Sequence, residues 1–149
     1  MRKTGVLIAV AFTCLVMGGL IGALTNMING AVSPLYFQNI MRWHDVEHLW
    51  RACVTQGIFE RLIYGILFAV VFATVFGIVT KGECPYPKVL KFMLGIFVAV
   101  LGCWTFGGLI AMGLAPLSPE FYRRPFIGVP EETGAMLRYA WVHGSIWGG

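Results

Sequence analysis

Two histidines and a glutamate stand at zinc-protease spacing in His44-Asp45-Val46-Glu47-His48, which fits the pattern H-x-x-E-H. On a helix, histidines four residues apart share a face and can ligate one ion, with the intervening glutamate placed as a base. Asp45 or His143 would have to supply a third ligand. A peptidase further needs a domain that excludes water, and here only a short loop separates two apolar runs. The chemistry open to His44 and His48 is therefore a surface metal site, and the plainer expectation is that they are solvated residues on the polar face of an amphipathic helix.

The remaining search for chemistry returns little. No glycine-rich phosphate loop, no nucleophile paired with a base and no carboxylate pair within an apolar run can be read from the sequence. The three apolar runs contain no histidine, which argues against haem or chlorophyll held by an intramembrane imidazole. The expectation is a protein that is not an enzyme and carries no cofactor. Thr25, Asn26 and Asn29 near one end of the first run, and Gln56, Glu60 and Arg61 before the second, are polar groups at a membrane interface. They are expected to bond helix to helix, with Glu60 and Arg61 reaching into headgroups.

The elements that must position these residues follow from composition. Of 149 residues 58% are hydrophobic and 12% charged, half the charge of an ordinary soluble domain. Nothing ionises between Lys3 and Arg42, between Arg61 and Lys81, or between Lys91 and Glu120. A bilayer core takes about 20 apolar residues as a helix, so the sequence predicts an all-α integral membrane protein with three spans, Val6–Met27, Leu62–Val79 and Phe92–Leu114, in one membrane domain over residues 1–149. Barrel strands are excluded by the lack of alternating hydrophobicity. The first apolar run is too long for a signal-peptide core and is expected to stay in the protein.

Arg2, Lys3, Lys81, Lys88 and Lys91 fall on one side of this arrangement with the single acid Glu83. The other side balances Arg42, Arg51, Arg61, Arg123, Arg124 and Arg138 against Asp45, Glu47, Glu60, Glu120, Glu131 and Glu132, so the whole formal charge of +4 lies on the first. Positive residues in short loops mark the cytoplasmic side. The amino terminus and the 81–91 turn are expected in the cytoplasm, and residues 32–58 and an outward C-terminal segment 116–149 in the periplasm of a bacterial inner membrane. The basic charge flanks spans, which suits anionic lipid rather than nucleic acid. The four cysteines read as small apolar residues, not as a disulfide framework.

The spans echo one another. Cys14 to Ile21 and Cys103 to Ile110 share the frame C-x-x-x-G-G-L-I at an offset of 89, each followed by Ser-Pro and an aromatic, Ser33-Pro34-Leu35-Tyr36 and Ser118-Pro119-Glu120-Phe121. Leu49-Trp50-Arg51 and Gln56-Gly57 reappear as Met136-Leu137-Arg138 and His143-Gly144 at an offset of 87. The expectation is a parallel internal repeat of span, loop, interfacial helix and returning span, whose second copy reaches only the start of a fourth span near Ile146. Small residues recur every fourth position: Cys14, Gly18, Gly22, Asn26 and Gly30; Gly65, Ala69, Ala73 and Gly77; Gly95, Ala99, Cys103, Gly107 and Ala111. Such stripes let helix backbones approach closely. Between the first two spans, residues 40–53 are predicted to form an outward interfacial helix anchored by Trp43 and Trp50. These two residues, with Arg123 and Arg124 in the tail, are the expected partner contacts, since tryptophan and arginine dominate binding hot spots.

Packing faces without chemistry point to a non-catalytic membrane subunit that packs against other membrane proteins or against itself within a larger complex. The alternatives are a small oligomeric transporter or channel lined by Thr25, Asn26, Asn29 and Glu60, and an outward metal-binding protein using His44 and His48.

Overall fold

The computed structural model describes residues 3–81 and 83–149; Arg2, counted above with the lysine-rich side, lies outside them. Six helices follow in order: α1 Lys3–Val32, α2 Pro34–Met41, α3 Leu49–Thr80, α4 Tyr86–Leu114, α5 Pro119–Arg123 and α6 Thr133–Gly148, with a single 3₁₀ turn, Ala115–Leu117, continuing α4. No strand occurs among the described residues. Three segments are long and apolar enough to cross a membrane: Thr4–Val32, Leu49–Thr80 and Tyr86–Leu117. Helices are the necessary form for such segments, because a backbone in hydrocarbon must satisfy its own N–H and C=O groups.

Helices α1 and α3 pack as an antiparallel pair, and so do α4 and α6. In the first pair the contact descends from Gly30 against Cys53, through Gly22 against Gly57, to Gly65 against the Cys14 carbonyl. In the second, Gly144 lies against Gly107 and Ala111, and Gly148 against the Cys103 carbonyl. The pairs join where Val89 and Met93 of α4 bury against Val6, Val10 and Cys14 of α1, with Ala69 and Phe76 of α3 completing that core. Thr13 and Tyr86 share a hydroxyl hydrogen bond of 2.7 Å there. Hence the starts of α1 and α4 and the end of α3 lie together at a lysine-bearing end, and α2, the 42–48 loop and the 115–132 segment lie at the other.

Ser33 and Ser118 both turn the chain into a helix opened by proline, at closely similar backbone angles, φ −143°, ψ 86° and φ −149°, ψ 78°. Proline at a first helical position loses no hydrogen bond, and its fixed φ suits the helix. Helix α6 starts instead on Glu132, whose carboxylate accepts from the backbone N–H groups of Gly134 at 2.8 Å and Ala135 at 2.7 Å. That carboxylate satisfies two donors the helix would otherwise leave open.

Three sequence expectations are corrected. The interfacial helix over residues 40–53 does not form: α2 ends at Met41, Arg42 takes the left-handed conformation (φ 57°) and its N–H turns back to the Gln38 carbonyl. The 42–48 stretch is non-helical, and Leu49 to Cys53 are the first turns of α3, with Cys53 fully buried. The second span is thus longer than the charge-free run suggested, since Gln56, Glu60 and Arg61 carry good helix propensity and do not stop a helix. The C-terminal segment 116–149 does not stay at the loop end either. Helix α6 returns alongside α4 as far as Cys103.

Gly22 and Gly57, at the centre of the α1/α3 contact, leave no room for a side chain. A Cβ on Gly22 would collide with the Gly57 carbonyl oxygen, and one on Gly57 with the Gly22 carbonyl oxygen. A Cβ on Gly18 would lie 2.7 Å from the Arg61 carbonyl oxygen, whereas one on Gly77 would make only an ordinary contact with the Leu7 side chain at 3.6 Å. Ala69 is buried. Gly95, expected to belong to a packing stripe, has nothing within 4 Å of where a Cβ would stand, because twelve residues at about 100° each turn it well away from the face of Gly107. Gly57→Ala should therefore lower the thermal unfolding midpoint in mild detergent, by the equivalent of about 1–3 kcal/mol for overpacking. Gly95→Ala should hold or raise it, by up to about 1 kcal/mol of helix propensity. Equal midpoints for the two variants would contradict the backbone contact.

Candidate functional site

A groove of about 750 Å³ opens between α1, α3 and α4 just beyond the end of α6. Met17 and Ile21 of α1, Leu67 and Phe68 of α3, and Met93 and Phe97 of α4 make its sides largely apolar. Its α4 wall, Met93, Ile96, Phe97 and Val100, lies on the same helix face that α6 covers one to two turns further on at Trp104, Gly107 and Gly108. Tyr64, Leu67 and Val71 are exposed, so the groove is open along α3.

Charge enters this apolar setting at one point. Glu60 and Arg61 line the groove, about 17 Å along α3 from its start at 1.5 Å per residue. The Arg61 backbone sits against Gly18, near the middle of α1. Helix α3 begins at Leu49, three turns before this pair, so Glu60 and Arg61 lie within the helix rather than at its start. Arg61 Nη1 donates to the Gly149 carbonyl at 2.8 Å, and its guanidinium lies 5.7 Å from the centre of the Tyr64 ring. Glu60 has no hydrogen bond or ion pair among the described residues. A charged group within a span without a partner is a functional candidate by default, because hydrocarbon cannot solvate it. The small-residue spacing did carry a signal for this position: Cys53, Gly57, Arg61, Gly65 and Ala69 form one unbroken four-residue series.

Four other polar residues lie inside the helix bundle. Thr25, Asn26, Asn29 and Ser145 are buried. Thr25 Oγ1 donates to the Ile21 carbonyl at 2.8 Å and Asn26 Nδ2 to the Cys53 carbonyl at 3.1 Å. Ser145 Oγ donates to Asn29 Oδ1 at 3.1 Å, tying α6 to α1. Of the four residues expected to line a pathway, only Glu60 lines the groove.

His44 and His48 lack the helix that would align them, since both fall in the non-helical 42–48 stretch. Among the described residues no three His, Cys, Asp or Glu side chains gather as a metal site. His143 sits elsewhere, among the rings of Tyr36, Tyr122, Phe126 and Trp147, with Phe126 at 4.1 Å between centroids. This aromatic cluster joins α2, α5 and α6, and burial raises the Tyr36 and Tyr122 hydroxyls above the ordinary tyrosine range, Glu60 adding to the shift at Tyr36.

The expected partner-contact residues divide. Trp43 stacks on Phe37 at 6.4 Å and packs into the core below the loops, whereas Trp50 is half exposed. Arg123 Nη2 donates to the Glu131 carbonyl at 2.7 Å, and Arg124 is exposed. Comparison of the chain with protein-family models, with curated proteins and with solved structures found no match in any of the three. The class that fold and groove define is a small all-helical protein with three membrane-length helices.

Arg123→Ala should lower the thermal midpoint in detergent, by roughly 1 kcal/mol for the lost hydrogen bond after solvent screening; Arg124→Ala should leave it unchanged. The buried tyrosines work in the alkaline range. Their folded pKa lies above the unfolded value, so their contribution is present below pH of about 10 and is lost as pH rises past it. Ultraviolet titration should show Tyr36→Phe and Tyr122→Phe each removing a late-ionising tyrosine; an unchanged late phase would place the perturbed hydroxyls elsewhere.

Proposed function

We propose that the protein is a non-catalytic membrane subunit, which packs through its helices with other membrane protein chains in a bacterial inner-membrane complex. The observation that carries this reading is the groove beyond α6, apolar on three sides, open along α3 and holding Glu60 and Arg61 within a span. Groups of that kind are ordinarily satisfied by a neighbouring helix. The transporter reading has less support, because Thr25 and Asn26 are engaged in hydrogen bonds of the bundle and Asn29 in one with Ser145. Tagged full-length protein extracted from its native membrane in mild detergent should bring down a second polypeptide in fixed ratio; a chain without any such companion removes the reading.

The same proposal includes a parallel duplication, α1 to α3 repeated as α4 to α6. In support, the positions offset by 89 and 87 make like contacts: Gly18 meets the backbone of Arg61, and Gly107 that of Gly148. The matching Ser-Pro helix starts point the same way. On this reading α6 stands for the first half of α3.

Orientation is proposed from lysine placement, with the 81–91 turn in the cytoplasm and the 42–48 loop in the periplasm. Cys53 is fully buried and cannot serve as a reporter. A membrane-impermeant thiol reagent should label an exposed Glu47→Cys in intact cells and Cys84 only after the inner membrane is opened. The opposite order of labelling would invert the topology.

A further inference from the structure

We infer that the segment from Leu117 to Ile127 is seated in the headgroup layer of the bilayer, with Leu117, Phe121 and Ile127 inserted at the boundary with the acyl chains. The partner of this surface is lipid, whichever way the chain is oriented.

A row of bare apolar side chains carries the argument. Phe106, Ile110, Leu114 and Leu117 follow at spacings of four, four and three residues, which keeps them on one side of a helix. The row runs from the body of α4 into the 3₁₀ turn, and Phe121 of α5 follows it in the chain. Each of these five is between 58% and 78% exposed, and Ile127 is 74% exposed. Single exposed apolar residues are ordinary, but a row of them marks a surface that meets something other than water. For the inner half that something is hydrocarbon, because Phe106 and Ile110 belong to a segment of membrane length. Lys91 and Leu117 are about 39 Å apart along the helix at 1.5 Å per residue, against about 40–45 Å for a bilayer with its headgroups. With Lys91 in one headgroup layer, Leu117 falls in the other.

The exposure beyond Leu117 is imposed by the fold. Tyr139 donates to the Ile127 carbonyl and Asn39 to the Gly128 carbonyl, both at 2.6 Å, so the backbone is held to the bundle while the Ile127 side chain stays outside it. Tyr36 stands after Ser33-Pro34 as Phe121 stands after Ser118-Pro119, yet Tyr36 is only 5% exposed. The same turn can bury its aromatic, and at Phe121 it does not. Arg124 is exposed in the same segment, which gives the combination of apolar anchors and a cation that suits the headgroup level. Helix α6 starts at this end and runs from it toward Cys103, away from Leu117 and Phe121. The interfacial element expected over residues 40–53 thus has its counterpart in the second loop.

Nitroxide labels on the full chain test this in vesicles of phosphatidylcholine and phosphatidylglycerol. Cys84→Ser and Cys103→Ser remove the accessible thiols, and Leu117→Cys, Phe121→Cys and Ile127→Cys each place one label on a side chain that packs against nothing, so a variant that fails to fold leaves two others to read. Oxygen concentrates among the acyl chains, whereas a nickel chelate stays in water. The ratio of oxygen to nickel collisions at the three sites should exceed severalfold the ratio at Glu47→Cys and Glu131→Cys, two exposed positions of the same loop end. Ratios as low as at Glu47→Cys would put the segment in water. Labels shielded from both reagents would put it under a protein surface, a second copy of this chain included. Either result overturns the inference, and neither bears on whether the protein is a subunit of a complex.

Discussion

Close approach of two backbones, α1 and α3, is the constraint on which the rest of the structure depends. In lipid, apolar side chains gain nothing by leaving the solvent, so helices associate through dispersion contact and hydrogen bonding instead. Both require short distances. Gly22 and Gly57 supply them, each lacking a Cβ where the other's carbonyl lies. Asn26, one turn beyond Gly22, is thereby brought to the Cys53 carbonyl, and Arg61, one turn beyond Gly57, is pinned with its backbone against Gly18. A larger residue at either glycine would separate the helices and lose the hydrogen bond along with the contact.

The second helix pair follows the same rule and shows what happens when it is only half applied. Gly107, Gly144 and Gly148 bring α6 onto α4, and Ser145 bonds across to Asn29, so the two pairs form one body at the loop end. At the lysine end α4 meets only α1 and α3, through Val89 and Met93. The groove is the space between those two conditions. It contains charge because Arg61, fixed by the first pair, projects to where the second pair stops.

Residues at the loop end illustrate how one residue type serves two ends. Arg123 closes the 123–131 segment on itself, and Arg124, its neighbour, is exposed. Asn39 donates to the Gly128 carbonyl at 2.6 Å, and Gly128 holds a positive φ of 70° with its missing Cβ directed at that asparagine. Tyr139 donates to the Ile127 carbonyl at 2.6 Å. The long segment after α5 is therefore strapped to α2 and α6, which buries the tyrosines and His143 among aromatic rings.

Sequence alone determined that the chain is helical and that three segments are of membrane length. These properties are local: they depend on runs of apolar residues and on a four-residue period that any helix must obey. What only the tertiary structure decided is where charge and chain ends fall relative to neighbours. The predicted interfacial helix failed because a left-handed Arg42 ends α2, a backbone choice that hydrophobic pattern does not encode. Gly57, Gly144 and Gly148 gained their roles from partners far along the chain, and Gly95 lost its expected role for want of one. Glu60 and Arg61 moved from an expected helix start into the body of α3 for the same reason, since a helix begins where its backbone groups find partners and not where the last charge stands.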